Sequence, residues 1–254
     1  MRNILLEIEY DGSAYAGWQV QLCRSSLVAR RSQRTIQGVI EKTLQRILQE
    51  RVHLIASGRT DAGVHAKAQT ANFKTISKIP LDKLQLALNG NLPEDIAIIN
   101  IEERPLKFHS RFDAKSKIYR YSILNRRYPS SLLRRCVYFY PHPLDVKLIR
   151  QEAAVLVGRH NFRSFQAADK IERDPVKNIK KITISKNKDG LIAIDIEADG
   201  FAYNMVRNIV GTLIEIGRKR FKKGALKKIL LAKDRRLAGP TVPARGLCLV
   251  KVNY

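Results

Sequence analysis

The stretch from Ala56 to Ala66 reads Ala-Ser-Gly-Arg-Thr-Asp-Ala-Gly-Val-His-Ala and gathers the residues of this chain best suited to chemistry. Asp61 supplies a short carboxylate that, when ionised, can attack an electrophilic carbon or remove a proton. Arg59 lies two residues earlier and brings a positive charge within reach. Gly58 and Gly63 bracket Arg59, Thr60 and Asp61, permitting tight turns that hold the carboxylate up out of a sheet edge. Gly, Thr and Asp are also ordinary turn formers, so the residue types alone fit a plain connecting turn equally well.

The flanking elements must position this loop. Val52 to Ala56 and Gln69 to Phe73 read as strands, which places the stretch between two sheet elements, where scaffolds commonly carry function. Asn3 to Tyr10 sets Ile4, Leu6 and Ile8 against Asn3, Leu5, Glu7 and Glu9, the pattern of a strand with one face in a core. Tyr10-Asp11-Gly12-Ser13 then turns the chain, with Asp11 as a turn residue, and Trp18, the only tryptophan, reads as a packing residue. Thr35 to Gln49 repeats apolar residues at helical spacing behind a Thr35 N-cap. Pro80 to Leu88 predicts a helix and Ile96 to Glu102 a strand.

Further along, Lys117 to Leu124 predicts a strand with Tyr119 and Tyr121 on one face and Arg120 on the other. Val146 to Val157 predicts a helix, and Gly158 to Arg173 a polar loop whose Arg159, His160, Arg163, Lys170 and Arg173 form a candidate nucleic-acid surface. Ile179 to Ser185 and Leu191 to Ala198 read as strands joined through Asp189-Gly190, a strong hairpin signal. Helices follow at Asn204 to Ile216 and Lys222 to Ala232, and Leu247 to Val252 closes the chain as a strand. The pattern is α+β, with two similar lobes, residues 1–104 and 105–254, joined near Pro105 to Ser116.

Three other groups stand out. Phe108-His109-Ser110-Arg111-Phe112 mixes aromatic and basic residues suited to stacking bases and gripping phosphate, although two core phenylalanines would give the same string. Arg207 sits near the start of a helix, where positive charge does not complement the dipole, and so calls for a carboxylate or phosphate partner. Leu22 to Arg34 is a basic insert with no acid, readable as a phosphate-gripping arm or as a solvated loop.

Bulk composition narrows the class. The 254 residues suffice for one large domain or two moderate ones. A formal charge of +24, from 47 Lys plus Arg against 23 Asp plus Glu, calls first for an anionic partner, nucleic acid before membrane. Cys23, Cys136 and Cys248 lie far apart, indicating neither a disulfide framework nor a metal site. Glu7 and Glu9 interrupt the N-terminal apolar run, so a cytoplasmic protein is expected.

The string Gly58-Arg59-Thr60-Asp61-Ala62-Gly63-Val64-His65-Ala66 resembles the signature of the tRNA pseudouridine synthase A family, whose aspartate is catalytic. The resemblance extends in order through Tyr10-Asp11-Gly12 with Gly17-Trp18-Gln19, Leu88-Asn89 with Leu92-Pro93, the Phe108 to Phe112 string and Tyr119-Arg120-Tyr121. It ends with Met205-Val206-Arg207-Asn208-Ile209-Val210-Gly211, having covered nearly the whole chain. It implies the pseudouridine synthase fold with a central RNA-binding cleft, a homodimer without cofactor or metal, and uridines 38 to 40 of the tRNA anticodon arm as targets.

By the same resemblance Asp61, Tyr119 and Arg207 are catalytic, Tyr119 lying beside the target base. Arg207 is expected to keep Asp61 charged, and Arg59 to hold the space left by the displaced uridine. Arg111 is expected to contact phosphate, together with Phe108, His109, Ser110 and Phe112. Two other classes stay open on residues alone: a non-catalytic RNA-binding protein, and a glycosidase or nucleoside hydrolase, which normally wants two carboxylates where this loop offers one.

Overall fold

The computed structural model describes residues 1–19, 34–168 and 174–254. The basic insert, apart from Arg34, lies outside the described residues, as do Lys170 and Arg173. The chain divides into two compact units, Met1–Ala114 with Leu249–Tyr254, and Lys115–Cys248.

The first unit opens with β1 (Arg2–Tyr10), where the alternation seen in sequence puts Ile4, Leu6 and Ile8 at zero exposure. Its other face is also partly covered, because the Asn3 side-chain amide donates to the carbonyls of Pro105 and Phe108 at 3.0 and 2.9 Å. Helix α1 (Ile36–Leu48) starts where expected, with Thr35 Oγ1 accepting from the Gly38 amide, and buries Ile36, Ile40 and Leu44. The strand expected over Val52–Ala56 shrinks to β2 (Ile55–Ala56). Leu54 is claimed by the helix instead: its amide donates to Glu41 Oε1 at 2.9 Å, and its carbonyl accepts from Gln37 at 3.3 Å.

Strand β3 (His65–Thr75) begins well before the expected Gln69. Its polar start is recruited by antiparallel pairing with β1, from Arg2↔Thr75 to Ile8↔Gln69 and, after an irregularity, Tyr10↔Ala66. The loop carrying Asp61 therefore ends at Val64. Helix α2 (Leu81–Asn89) and β4 (Ile96–Arg104) complete this stretch, with β4 antiparallel to the free side of β1.

The second unit holds β5 (Ser116–Leu124), β6 (Tyr138–Phe139), α3 (Val146–Ala153), β7 (Gly158–Asn161), β8 (Val176–Lys186), β9 (Leu191–Ala198), α4 (Met205–Gly217) and α5 (Ala225–Ala232). Its strands run in the order β5-β9-β8-β7, all antiparallel, with β6 parallel beside β5. The β8–β9 hairpin turns where Asp189-Gly190 indicated, and Gly190 has φ +83°. Tyr119 and Tyr121 share an inward face, while Arg120 projects from the other and pairs two-pronged with Asp195, its cross-strand neighbour, at 2.7 and 2.8 Å.

Two expectations are corrected here. The segment from Gly158 is not a polar loop throughout: residues 158–161 form β7, and Phe162, Ser164 and Phe165 are fully buried, anchoring a 3-10 turn at Arg163–Phe165. Arg159 and Arg163 remain exposed. The last helix begins at Ala225 and not Lys222, because the buried Glu152 of α3 takes the amides of Gly224 and Leu226 at 2.8 and 3.4 Å and sets the helix start.

Helix α4 is buried on nearly every side, as a helix at the centre of its unit must be. The chain closes on β10 (Leu247–Asn253), which from Leu249 belongs to the first unit and lies beside β3. With ten strands paired almost wholly antiparallel and five α-helices among the described residues, the expected α+β class is the one observed. No helix among these residues is long and apolar enough to cross a membrane.

Candidate functional site

In the first unit the loop between β2 and β3 is fastened at both ends and along its middle. Ser57 is fully buried; its amide donates to Thr70 O at 2.8 Å and its hydroxyl to Gln69 Oε1 at 2.7 Å. Gln69 Nε2 returns a bond to Gly58 O at 2.9 Å, so the loop's first turn is tied to β3. Thr60 is buried, its hydroxyl 2.8 Å from Tyr10 Oη, and its carbonyl accepts from Trp18 N at 3.0 Å. Between these anchors Arg59 is exposed and Asp61 half-buried. Val64 N donates to Asp61 O at 3.1 Å and closes the turn, with Gly63 at φ +76° in the left-handed region open to glycine. Gly58 is not in that region, so only one of the two bracketing glycines is needed for its backbone angles.

The segment Asp11 to Trp18 braces the loop from outside. A Cβ on Gly12 would stand 2.0 Å from Val64 O, and one on Gly17 2.7 Å from Thr60 O. Gly17 also has φ +99°. Asp11 does more than turn the chain: its carboxylate accepts from Ser13 N at 2.9 Å and lies 3.1 Å from His65 Nδ1. That same ring nitrogen is 3.2 Å from Gly12 N. Accepting from the amide requires a bare Nδ1 and donating to the carboxylate a protonated one, so the tautomer selects between the two partners. Trp18 is buried, in line with its reading as a packing residue.

The Phe108 to Phe112 string splits by role. Ser110 is fully buried, its amide donating to Asn72 Oδ1 at 2.9 Å and its carbonyl accepting from Tyr254 Oη at 2.9 Å. Its side chain therefore belongs to the interior of the loop. Phe108 packs on Tyr254 with ring centroids 5.0 Å apart. Phe112 is 74% exposed, stacked 4.3 Å from His109 and with the Arg111 guanidinium 5.7 Å from its ring. His109, Arg111 and Phe112 thus form an outward aromatic and basic surface on a loop pinned to β3.

In the second unit Tyr119 is largely buried, its ring edge-on to Phe201 at 5.0 Å. Tyr121 is fully buried; its hydroxyl donates to Pro243 O at 2.7 Å, and Gly246 leaves room for its ring. Burial pushes the Tyr121 phenol far above its ordinary range, against the opposing pull of Arg207 and Arg245. Half-buried on α4, Arg207 donates from Nε to Val242 O at 2.8 Å and from Nη1 to Asn204 Oδ1 at 2.8 Å. Bonds from two different nitrogens set the orientation of its planar guanidinium.

Sequence reading missed Gly12, Gly17, Asn72 and Tyr254 as builders of these loops. The glycines had a signal in the Tyr-Asp-Gly and Gly-Trp strings, whereas Asn72 and Tyr254 had none, since their partners lie far away along the chain.

A sequence profile described as tRNA pseudouridine synthase matches residues 8–113 and 153–254. The chain is 46% identical over 253 residues to tRNA pseudouridine synthase A 2 of Clostridium tetani, covering 100% of this chain and 99% of that protein. It is 44% identical to tRNA pseudouridine synthase A of Caldicellulosiruptor bescii and 41% identical to that of Thermoanaerobacter sp. (strain X514), both over 254 residues and the whole of each chain. On that extent of likeness, the chain belongs to the tRNA pseudouridine synthase family, enzymes of the isomerase class that act on tRNA uridines.

Proposed function

We propose that this protein converts uridines 38, 39 and 40 of the tRNA anticodon stem-loop to pseudouridine, with Asp61 as the catalytic carboxylate. The observation that carries the reading is the half-buried Asp61 on a loop fastened through Ser57, Thr60 and Val64, two residues after an exposed Arg59. A carboxylate held by its backbone meets the substrate without first being ordered.

The reaction breaks the bond between N1 of uracil and C1′ of the ribose, turns the base, and joins C5 to C1′. The proton of C5 is released and N1 gains one, so neither oxidant nor cofactor is needed. Asp61 acts by attacking the sugar or by taking a sugar proton. Extruding the uridine from its stack costs about a few kcal/mol, which Arg59 offsets by entering the RNA in its place. Tyr119 and Arg207 complete the proposed catalytic set, the first beside the base and the second favouring the ionised carboxylate. His109, Arg111 and Phe112 contact the RNA, with Phe108 and Ser110 supporting them from within the loop. The protein works as a homodimer in the cytoplasm.

The test is tritium release from tRNA transcript labelled at uracil C5, comparing wild type with Asp61→Ala at equal bound fraction. Release by the wild type alone is expected. Tight binding without release by either protein would favour a non-catalytic RNA-binding protein and overturn the reading.

A further inference from the structure

A second basic feature of the first unit lies outside the Asp61 loop and the Phe108 to Phe112 string. Between α1 and the turn that follows α2 runs an open groove of about 580 Å³. Its rim carries the exposed Arg34, Lys42 and Arg46, its floor is the half-buried Val39, Leu92 and Pro93, and no acid is among the described residues that line it. From this groove we infer a binding site for the sugar-phosphate backbone of an RNA strand, gripping the tRNA at a place separate from the reacting uridine. This inference rests on the reading that tRNA is the substrate.

The cations are positioned, not merely exposed. Arg46 donates to Asn91 Oδ1 at 2.7 Å, and Asn91 Nδ2 is itself held by Ala87 O at 2.7 Å, so the guanidinium is set over the groove before any ligand arrives. The Arg34 guanidinium lies 5.0 Å from the Tyr15 ring centre, and the Tyr15 hydroxyl is in turn hydrogen-bonded to Asp95.

Lys42 and Arg46 stand one helical turn apart, about 6 Å along the axis, a spacing that serves neighbouring phosphates of one strand. Their mutual repulsion at that spacing is unfavourable in the free protein. Arg46 in the last turn of α1 gains from the helix dipole, but Lys42 is too far from the end to do so. The acid on this helix, Glu41, is turned elsewhere, to Leu54 N at 2.9 Å and His53 at 3.0 Å. An anion in the groove is what relieves the pair. The apolar floor suits the ribose faces between phosphates.

The test compares wild type with Lys42→Glu/Arg46→Glu and Lys42→Gln/Arg46→Gln; both positions are exposed, so the fold is retained. A control, Lys227→Glu/Lys228→Glu on the exposed face of α5, makes the same change in net charge elsewhere. The readouts are tRNA affinity against salt and tritium release at saturating tRNA. Expected is about tenfold weaker binding for the charge reversal at low salt, a smaller loss for the glutamines, and a salt slope shallower by about one to two units. Turnover at saturation stays at the wild-type value. Unchanged affinity and slope, or an equal loss in the control, would overturn the groove while leaving the catalytic reading standing. Absence of tRNA binding by the wild type would overturn both.

Discussion

A Cβ at Gly17 would stand 2.7 Å from the carbonyl oxygen of Thr60, the residue next to Asp61. That oxygen already accepts the amide of Trp18, and Gly17 has φ +99°, so neither space nor backbone angle admits a side chain. Gly17→Ala is expected to lower stability by about 1 to 3 kcal/mol. Turnover on tRNA should fall at least about tenfold, well beyond any loss of tRNA affinity, because the displaced segment moves the Asp61 loop. Denaturant unfolding and single-turnover kinetics check the two parts.

Asn208 is fully buried on α4 and links three segments of the second unit. It donates to Phe165 O at 2.8 Å, and its Oδ1 accepts from Arg235 at 3.0 Å and from the Thr241 hydroxyl. Leucine fits the volume but strands the Phe165 carbonyl and part of the Arg235 guanidinium, which burial already makes easier to deprotonate than usual. Asn208→Leu should destabilise by about 2 to 3 kcal/mol, read from the urea midpoint.

Stability should fall as pH rises above the ordinary tyrosine range. Burial raises the phenols of Tyr121 and Tyr254 above the ordinary 10.0. The unfolded chain then loses these protons first, so the folded state binds more protons above pH 10 and stability declines as pH rises. Tyr121→Phe loses the bond to Pro243 at neutral pH but should show a shallower decline between about pH 9 and about pH 11. Urea midpoints across that window give the comparison.

The formal charge of +24 should make tRNA binding steeply dependent on salt. With roughly 6 to 10 phosphates neutralised, affinity falls by about a thousandfold or more between about 50 and about 200 mM salt. A filter-binding series would measure the slope, and a flat response would contradict a phosphate-led interface.

Local pattern sufficed wherever one element buries one face or carries its own punctuation. Alternation located β1, helical spacing behind Thr35 located α1, and Asp189-Gly190 located the β8–β9 turn. The string Gly58 to Ala66 was likewise legible as a candidate site, since its residue types and order sit together, although its last two residues, His65 and Ala66, belong to β3.

What sequence alone did not reveal depends on partners distant along the chain. β3 extends back to His65 because β1 supplies ladder bonds that polar residues accept as readily as apolar ones. Residues 158–161 became a strand because β8 lies alongside and Phe162 and Phe165 fill the core. The brace of Gly12 and Gly17 on the Asp61 loop, and the hold of Asn72 and Tyr254 on Ser110, join residues tens of positions apart or more. The sequence by itself determined which residues carry reactive groups and which segments can be helix or strand, because those follow from side-chain chemistry and local period. Tertiary structure alone decided how firmly the groups are held and which polar strings enter the sheet, because burial and ladder pairing are set by whatever the folded chain brings alongside.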